Sequence, residues 1–206
     1  MTRRWWRPGD PVGPLLAHLE AGGVAAVPTE SSYGLAALPA SRIGVESIYR
    51  LKSRPASEPL PVVAGSVAQL AGLGIDVESE AVQLLALVWP APLTAVLATG
   101  LELPASAGSG TLAVRIPDHA DLRRLLLDLG TPLTATSANL SGAPPVSDPV
   151  ELAAALPGWD GWVVDGGRLR GGAPSTLVRW QGQGWTVLRP GPVSPPPSEI
   201  TSHAER

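Results

Sequence analysis

Short apolar runs alternate with longer segments of helical periodicity along this chain, and the alternation constrains the fold more than any other feature. It is typical of α/β domains, in which helices cover a sheet of buried strands. Strands are predicted at residues 23–27, 60–63, 94–97, 112–116, 133–135, 161–164, 176–179 and 186–188. Helices are predicted at residues 11–21, 41–52, 67–73, 80–88, 118–129 and 148–156. Ser41, Asp118 and Asp148 are suitable N-caps for three of these helices.

The length of 206 residues fits one α/β domain, and we expect it to cover residues 1–191. Residues 192–206 are rich in proline and polar side chains, and they predict a disordered tail. Residues 81–101 carry no charge and are long enough to span a membrane, but Pro90 and Pro92 divide them into a helix-like and a strand-like part. The basic residues 2–7 precede Pro-Gly-Asp-Pro instead of an apolar signal core. We therefore expect a cytoplasmic protein without membrane contact, whose basic head is a packed or frayed terminus rather than an RNA contact.

Several large function classes are excluded by composition and motif. The chain has no cysteine, so thiolate zinc sites, iron–sulfur clusters and cysteine nucleophiles are absent. The three histidines lie far apart in sequence, which disfavours a histidine metal site. The one lysine, Lys52, is not part of a Walker A motif, and neither Gly-x-Gly-x-x-Gly nor Gly-x-Ser-x-Gly occurs. A net charge of −3 argues against a protein that coats nucleic acid, although a local basic pocket is allowed.

Three segments concentrate polar groups that could bind a small ligand: residues 28–35, 52–55 and 134–142. The first and third follow predicted strands, where open α/β sheets place their ligand sites. Each also has an ordinary interpretation: the first as a Ser/Thr-rich turn, the second as a helix C-terminal cap, and the third as an Asx or helix-capping turn. Taken singly, none of the three decides between a site and a turn.

Lys52 is the only lysine among 15 basic residues, although the chain uses arginine freely elsewhere. A compact ammonium beside the planar guanidinium of Arg54 suits a polyphosphate, whereas capping of the preceding helix would explain either cation equally well. Arg115 lies in an otherwise apolar strand, so its guanidinium needs an anionic partner from the protein or a ligand carboxylate. With Ser175 and Arg189 near later strands, these residues predict binding of a nucleotide and a carboxylate, and catalysis by orientation and charge neutralisation.

Seven motifs occur in the order in which they occur in one known family. They are 28–35 (PTESSYGL), 52–60 (KSRPASEPL), 89–94 (WPAPLT), 114–117 (VRIP), 137–142 (SANLSG), 174–176 (PST) and 189–191 (RPG). The chain thereby resembles the YrdC-like threonylcarbamoyl-AMP synthase family, in its single-domain type. The resemblance implies a twisted mixed β-sheet flanked by helices, with a large concave and locally basic cavity.

The resemblance also implies a nucleotidyltransferase reaction, in which L-threonine, bicarbonate and ATP give L-threonylcarbamoyl-adenylate and pyrophosphate. Mg²⁺ would arrive with ATP rather than be fixed by the protein. A separate tRNA threonylcarbamoyltransferase complex would use the product to modify the adenosine beside the anticodon, and a weak contact with tRNA is a further expectation. By resemblance, Lys52 and Arg54 are the catalytic pair, and the ATP ligands are Lys52, Arg54, Thr111, Ser137, Asn139 and Arg189. The implied threonine ligands are Thr29, Ser31, Tyr33, Arg115 and Ser175.

The sequence departs from the family pattern at three positions. Ser31 replaces the more usual threonine, Ser53 replaces the common glycine of Lys-Gly-Arg, and Val63 stands where some relatives have histidine. One alternative is a non-catalytic module that binds tRNA or double-stranded RNA on the same fold, which the acidic net charge disfavours. Another is the carbamoyl-transfer domain used in hydrogenase maturation, whose usual zinc-binding cysteines this chain lacks.

Overall fold

A computed structural model describes residues 3–197 of the chain. Its strands are β1 (Arg4–Trp6), β2 (Ala25–Pro28), β3 (Tyr33–Ala36), β4 (Val62–Val63), β5 (Leu93–Ala98), β6 (Thr111–Arg115), β7 (Leu133–Thr134), β8 (Thr136–Ser137), β9 (Trp162–Val164), β10 (Thr176–Trp180) and β11 (Trp185–Arg189). Its helices are α1 (Gly13–Glu20), α2 (Arg42–Lys52), α3 (Glu80–Ala86), α4 (Ala120–Leu129) and α5 (Leu152–Ala155), with 3₁₀ helices at Val67–Leu73, Pro104–Ser106 and Pro149–Glu151. The predicted α/β class is confirmed.

Two of the three predicted N-caps are confirmed. The Ser41 hydroxyl accepts the backbone N–H of Gly44 at the start of α2, and Asp148 caps the 3₁₀ helix before α5. The prediction for Asp118 is wrong, because His119 caps α4 through its Nδ1. Asp118 is engaged elsewhere, since its own backbone N–H donates to Glu30 and its carboxylate lies 3.7 Å from Arg123.

The strands form two mixed sheets flanked by helices, in keeping with the mixed, helix-flanked architecture that the resemblance implies. A five-stranded sheet has the order β1-β9-β2-β3-β8, and a six-stranded sheet has the order β11-β10-β5-β6-β4-β7. Both are mixed, because β1 and β2 run parallel to β9 while β3 is antiparallel to β2, and β5 is parallel to β10 but antiparallel to β6. The helices flank these sheets, with α1 and α4 contributing Leu15, Leu19, Leu122 and Leu126 to one of two apolar clusters.

The two sheets are joined where the chain passes from β7 to β8 through the single residue Ala135. The β7 residue Thr134 pairs with Val62 of the six-stranded sheet, and the β8 residue Ser137 pairs with Gly34 of the five-stranded sheet. Thr134 also donates its N–H to the carbonyl of Ala37, and its hydroxyl accepts the N–H of Ala37, both at 2.9 Å. Residues of the two sheets are therefore fixed relative to one another at this point.

The six-stranded sheet buries one face and leaves the other partly open. Along β6 the even-numbered Leu112 and Val114 are buried, whereas the odd-numbered Thr111, Ala113 and Arg115 are half-buried. This alternation is the period of two expected of a strand with one face in the core. Arg115, the one charged residue of β6, therefore lies on the open face.

One row of paired residues crosses that open face. Val63 pairs with Arg115 on one side. On the other side, the antiparallel pairing of Ala95 with Val114 sets Thr94 opposite Arg115. Leu177 then pairs with Thr94 and with Arg189. Because directly paired residues point to the same face of a sheet, Arg115, Thr94 and Arg189 belong to one polar row. The fold thereby places Arg115 and Arg189, which belong to widely separated motifs, on the same face of one sheet.

Residues 81–101 divide as the sequence predicts, into helix α3 and strand β5. Within residues 3–197 the protein has no helix with both the length and the apolar character needed to cross a membrane. At the N-terminal end, Arg4–Trp6 pairs with β9, and Trp6 is buried. At the C-terminal end, Val193 packs against the core and exchanges hydrogen bonds with the Thr176 hydroxyl. The rest of the predicted tail, residues 198–206, lies outside the described residues.

Candidate functional site

Lys52 lies at the base of the loop formed by residues 137–143, and its ammonium binds that loop. Nζ donates to the carbonyl of Ser137, to the carbonyl of Asn139 at 2.9 Å and to the Asn139 Oδ1 at 3.2 Å. The loop also donates a hydrogen bond to Lys52, from the backbone N–H of Ser141 to the Lys52 carbonyl at 3.1 Å. Lys52 is only 3% exposed, although it is the last residue of α2. The lone lysine therefore fixes the backbone of the segment that carries Ser137 and Asn139.

The Lys52 ammonium is held in an unusual electrostatic environment. Burial and, to a smaller extent, the neighbouring Arg54 guanidinium together lower its pKa from the ordinary 10.5 to about 8. No carboxylate of residues 3–197 forms an ion pair with Lys52. Its positive charge is balanced by neutral oxygens alone, and an anion bound nearby would stabilise the charged form.

Arg54 lies next to this loop and spans three acceptors. Its Nε pairs with Glu58 Oε2 at 2.8 Å, its Nη1 donates to the Thr136 hydroxyl at 3.3 Å, and its Nη2 donates to the Pro59 carbonyl at 3.2 Å. Ser53, between Lys52 and Arg54, has φ of +51° and ψ of +41°, the left-handed conformation that ends α2. This turn directs the cations on either side of Ser53 toward the segment from Thr136 to Asn139.

The buried arginine of β6 has a protein partner. Arg115 Nη1 lies 3.3 Å from Glu30 Oε2, and the side chains are 11% and 17% exposed. Burial lowers the pKa of Arg115, Glu30 raises it, and Arg189 lowers it. Glu30 is therefore the anion that the sequence required for Arg115. Arg189 is close enough for its positive charge to lower the pKa of Arg115.

Ser175 and Arg189 lie at the end of the polar row opposite Val63, where β10 and β5 separate Arg189 from Arg115. Arg189 donates through Nε and Nη2 to the Ser175 carbonyl, at 3.2 and 2.8 Å. The Ser175 hydroxyl is 2.7 Å from the Thr94 hydroxyl. These contacts place two guanidiniums and two hydroxyls on one face, a set that can hold a carboxylate. Val63, at the end of the row, makes that end apolar.

The loop between β2 and β3 connects the two cationic groups. Glu30 in this loop contacts Arg115, while Gly34 a few residues on pairs with Ser137. The Thr29 hydroxyl donates to the Ser32 carbonyl at 2.7 Å and tightens the loop, in which Ser31 is half-buried. A ligand with both a carboxylate and phosphates could therefore lie across residues 29–34 and meet a cationic group at each end.

Tyr33 and Thr111 stand apart from the other predicted site residues. The Tyr33 side chain is fully buried, and its hydroxyl donates to the Gly167 carbonyl and accepts the N–H of Gly166. Burial raises the Tyr33 pKa to about 12. Its contribution is thus to hold residues 166 and 167. Thr111 shares the open face with Arg115 but begins β6, about 13 Å away at the usual rise per strand residue.

Sequence reasoning did not single out Glu30, Thr94 and Thr136 as site residues. Glu30 is the one carboxylate in its loop, and that was the available signal, but its pairing with Arg115 joins residues 85 positions apart. Thr94 ends the motif at residues 89–94, and Thr136 lies in the polar segment 134–142, yet both resemble ordinary strand residues. Within the described part of the chain, no group of three or more histidine, aspartate and glutamate side chains is placed to hold a metal ion.

Comparisons with known proteins agree on one family. Residues 17–191 match the Sua5/YciO/YrdC family model, whose description is telomere recombination. A threonylcarbamoyl-AMP synthase of Bacillus subtilis is 34% identical over 204 residues, covering 94% of this chain and 59% of the relative. A threonylcarbamoyl-AMP synthase of Neisseria gonorrhoeae is 38% identical over 168 residues, covering 80% of this chain and 88% of the relative. The structure of Pyrococcus abyssi Sua5 complexed with L-threonine superimposes with a TM-score of 0.81 at 30% identity, over 93% of this chain and 58% of the other. The chain thus spans less than two thirds of the Bacillus and Pyrococcus proteins.

Proposed function

Because the chain belongs to the Sua5/YciO/YrdC family, we propose that it is a threonylcarbamoyl-AMP synthase, a nucleotidyltransferase that acts on L-threonine, bicarbonate and ATP. One structural observation carries the proposal. The loop at residues 29–34 lies between the Lys52 and Arg54 group and the Arg115 and Arg189 group. A threonine carboxylate at one group and a triphosphate at the other would bring the amino group and the α-phosphorus toward each other.

The reaction needs no covalent intermediate with the protein. The threonine nitrogen forms a bond to the carbon of bicarbonate, and the ammonium and bicarbonate together release one water molecule and one proton. A carbamate oxygen then forms a bond to the α-phosphorus, and the bond from that phosphorus to the bridging oxygen breaks as pyrophosphate leaves. Orientation and charge neutralisation are the effects that this chain can supply.

Each cationic group has a distinct part in this proposal. Arg115 would hold the threonine carboxylate with Ser175, while Thr29, Ser31 and Tyr33 would shape the pocket around the side chain. The nucleotide would lie against the loop that carries Ser137 and Asn139, and Thr111 and Arg189 would complete its site. Lys52 and Arg54 would offset the negative charge that develops on the leaving pyrophosphate. The contacts of Lys52 with Ser137 and Asn139, and of Arg189 with Ser175, support these assignments, whereas those of Tyr33 and Thr111 rest on the family resemblance alone.

Mg²⁺ is proposed to enter with ATP and to neutralise part of the phosphate charge. Hydroxyl, amide and guanidinium groups dominate the site, and they suit phosphate oxygens better than a bare divalent cation. The labile product is proposed to pass, in the cytoplasm, to a tRNA threonylcarbamoyltransferase complex. These steps follow from the proposed activity.

Release of pyrophosphate from ATP tests the proposal. We expect release only when L-threonine and bicarbonate are both present, and we expect Lys52→Met and Arg115→Met each to reduce it at least a hundredfold. Arg124→Met is the matched control, since Arg124 is exposed on α4 and pairs with Asp128. The proposal fails if release does not depend on threonine. Tight RNA binding with a steep salt dependence, in place of pyrophosphate release, would instead identify an RNA-binding module.

A further inference from the structure

Glu30 makes two contacts that tie the loop between β2 and β3 to the end of β6. Its Oε1 accepts the backbone N–H of Asp118 at 2.8 Å, and its Oε2 lies 3.3 Å from Arg115 Nη1. Among the described residues, Oε2 has no hydrogen-bond partner and is buried, so its remaining interaction is the charge of Arg115. The carboxylate therefore faces the guanidinium while its other oxygen is anchored to backbone.

Glu30 offsets one of the two positive charges near Arg115. Arg115 and Arg189 carry two positive charges on one row of the open sheet face, and Glu30 carries one negative charge. Arg189 disfavours the charged form of Arg115, and Glu30 opposes that effect. The net charge of this trio is +1, which one ligand carboxylate would neutralise. Without Glu30, the largely buried Arg115 would have no anionic partner, and together with the exposed Arg189 it would leave a net charge of +2.

We propose that Glu30 is a positioning and specificity residue for the amino-acid substrate. It holds Arg115 in the orientation that receives a carboxylate, and it sets the local charge so that a monocarboxylate amino acid is preferred to a dicarboxylate of similar size. The inference rests on the proposed function, because it assigns Glu30 a part in threonine binding. It does not require Glu30 to touch any reacting atom.

Glu30→Gln and Glu30→Asp separate the two effects. Glutamine keeps an oxygen that can accept the Asp118 N–H but removes the charge that faces Arg115, so we expect the KM for threonine to rise roughly tenfold to a hundredfold. The KM for ATP and the kcat should change less than twofold. L-Aspartate, which is close to threonine in size, should inhibit this variant more strongly than it inhibits the wild-type protein. Aspartate at position 30 keeps the charge but shortens the reach, so it should preserve discrimination against L-aspartate while the KM for threonine rises.

Glu58→Gln is the matched control, since Glu58 pairs with Arg54 at the other cationic group. It should leave the KM for threonine and the inhibition by L-aspartate unchanged. A purely structural role of Glu30 predicts a lower melting temperature, with parallel changes in the KM for threonine and for ATP and no gain in aspartate inhibition. That pattern would overturn the proposal.

Calorimetric titration of the unreacted proteins with L-threonine and L-aspartate distinguishes failure of this inference from failure of the proposed function. If the wild-type protein releases no pyrophosphate but binds threonine more tightly than aspartate, and Glu30→Gln reverses that order, the activity is wrong and the role of Glu30 stands. If the wild-type protein is active and Glu30→Gln leaves the affinity ratio unchanged, the role of Glu30 is wrong. If the wild-type protein binds neither amino acid, both are wrong.

Discussion

Replacing Ser53 by glycine is expected to stabilise the protein. Ser53 has φ of +51° in the left-handed region, where a residue with a Cβ costs about 1 to 2 kcal/mol relative to a right-handed conformation. Glycine avoids this cost but gives up about 0.4 to 1 kcal/mol through the greater freedom of the unfolded chain. The net gain is about 0.5 to 1 kcal/mol, which corresponds to a rise in melting temperature of about 1 to 4 °C for a chain of this length.

Gly130 provides a control of opposite sign. It occupies the equivalent position after α4 with φ of +71°, and a Cβ there would meet nothing within 4 Å. Gly130→Ala therefore adds the conformational cost without a steric clash, and we expect a loss of about 0.5 to 1 kcal/mol. Ser53→Ala should be close to neutral, because the Ser53 side chain is exposed and the left-handed cost remains.

Urea unfolding of the three variants, followed by circular dichroism, measures these differences as shifts in midpoint at constant slope. The reasoning is refuted if Ser53→Gly is neutral or destabilising while Gly130→Ala destabilises. In that case the backbone at Ser53 would not carry the cost that its conformation implies.

Two further expectations follow from buried polar groups. Because the Lys52 pKa is about 8, its ammonium loses a proton as the pH rises through 8, and the ATP affinity measured by calorimetry should fall. The Lys52→Arg variant should bind ATP more weakly at every pH and should not show this alkaline decline, because arginine stays charged. Between pH 8 and 10.5 the unfolded chain keeps the Lys52 proton and the folded chain has released it, so the contribution of this group to stability rises with pH. Tyr33→Phe removes the bonds to Gly166 and Gly167 and should cost about 1 to 3 kcal/mol in urea unfolding, and a neutral variant would contradict the role given to the hydroxyl.

The elements predicted from periodicity were those with a regular apolar pattern. Three strands were missed. They are β1, which is three residues long and largely exposed, β3, which begins in a polar segment and contains Gly34, and β8, which has only two residues. A Cβ on Gly34 would lie 3.4 Å from the backbone of Ala135, so this glycine permits a close approach of two strands. That approach joins residues about 100 positions apart, and no local pattern reveals it.

The candidate site was predicted in its residue types more than in its contacts. The need of Arg115 for an anion followed from its apolar strand, but the identity of the partner depended on where the loop carrying Glu30 folds. Lys52 was singled out by composition as a phosphate ligand, a role that stays a prediction. Its bonds to carbonyls of residues 137 and 139 could not be foreseen, because carbonyl oxygens are present at every residue and only the fold selects among them.

Neither sheet can be dismantled alone, because the segment from Leu133 to Ser137 supplies a strand to each with only Ala135 between them. If β7 leaves its sheet, β8 must move as well, because the single residue between them is too short to let the two strands move independently. We therefore expect the two sheets to unfold together, as one cooperative unit.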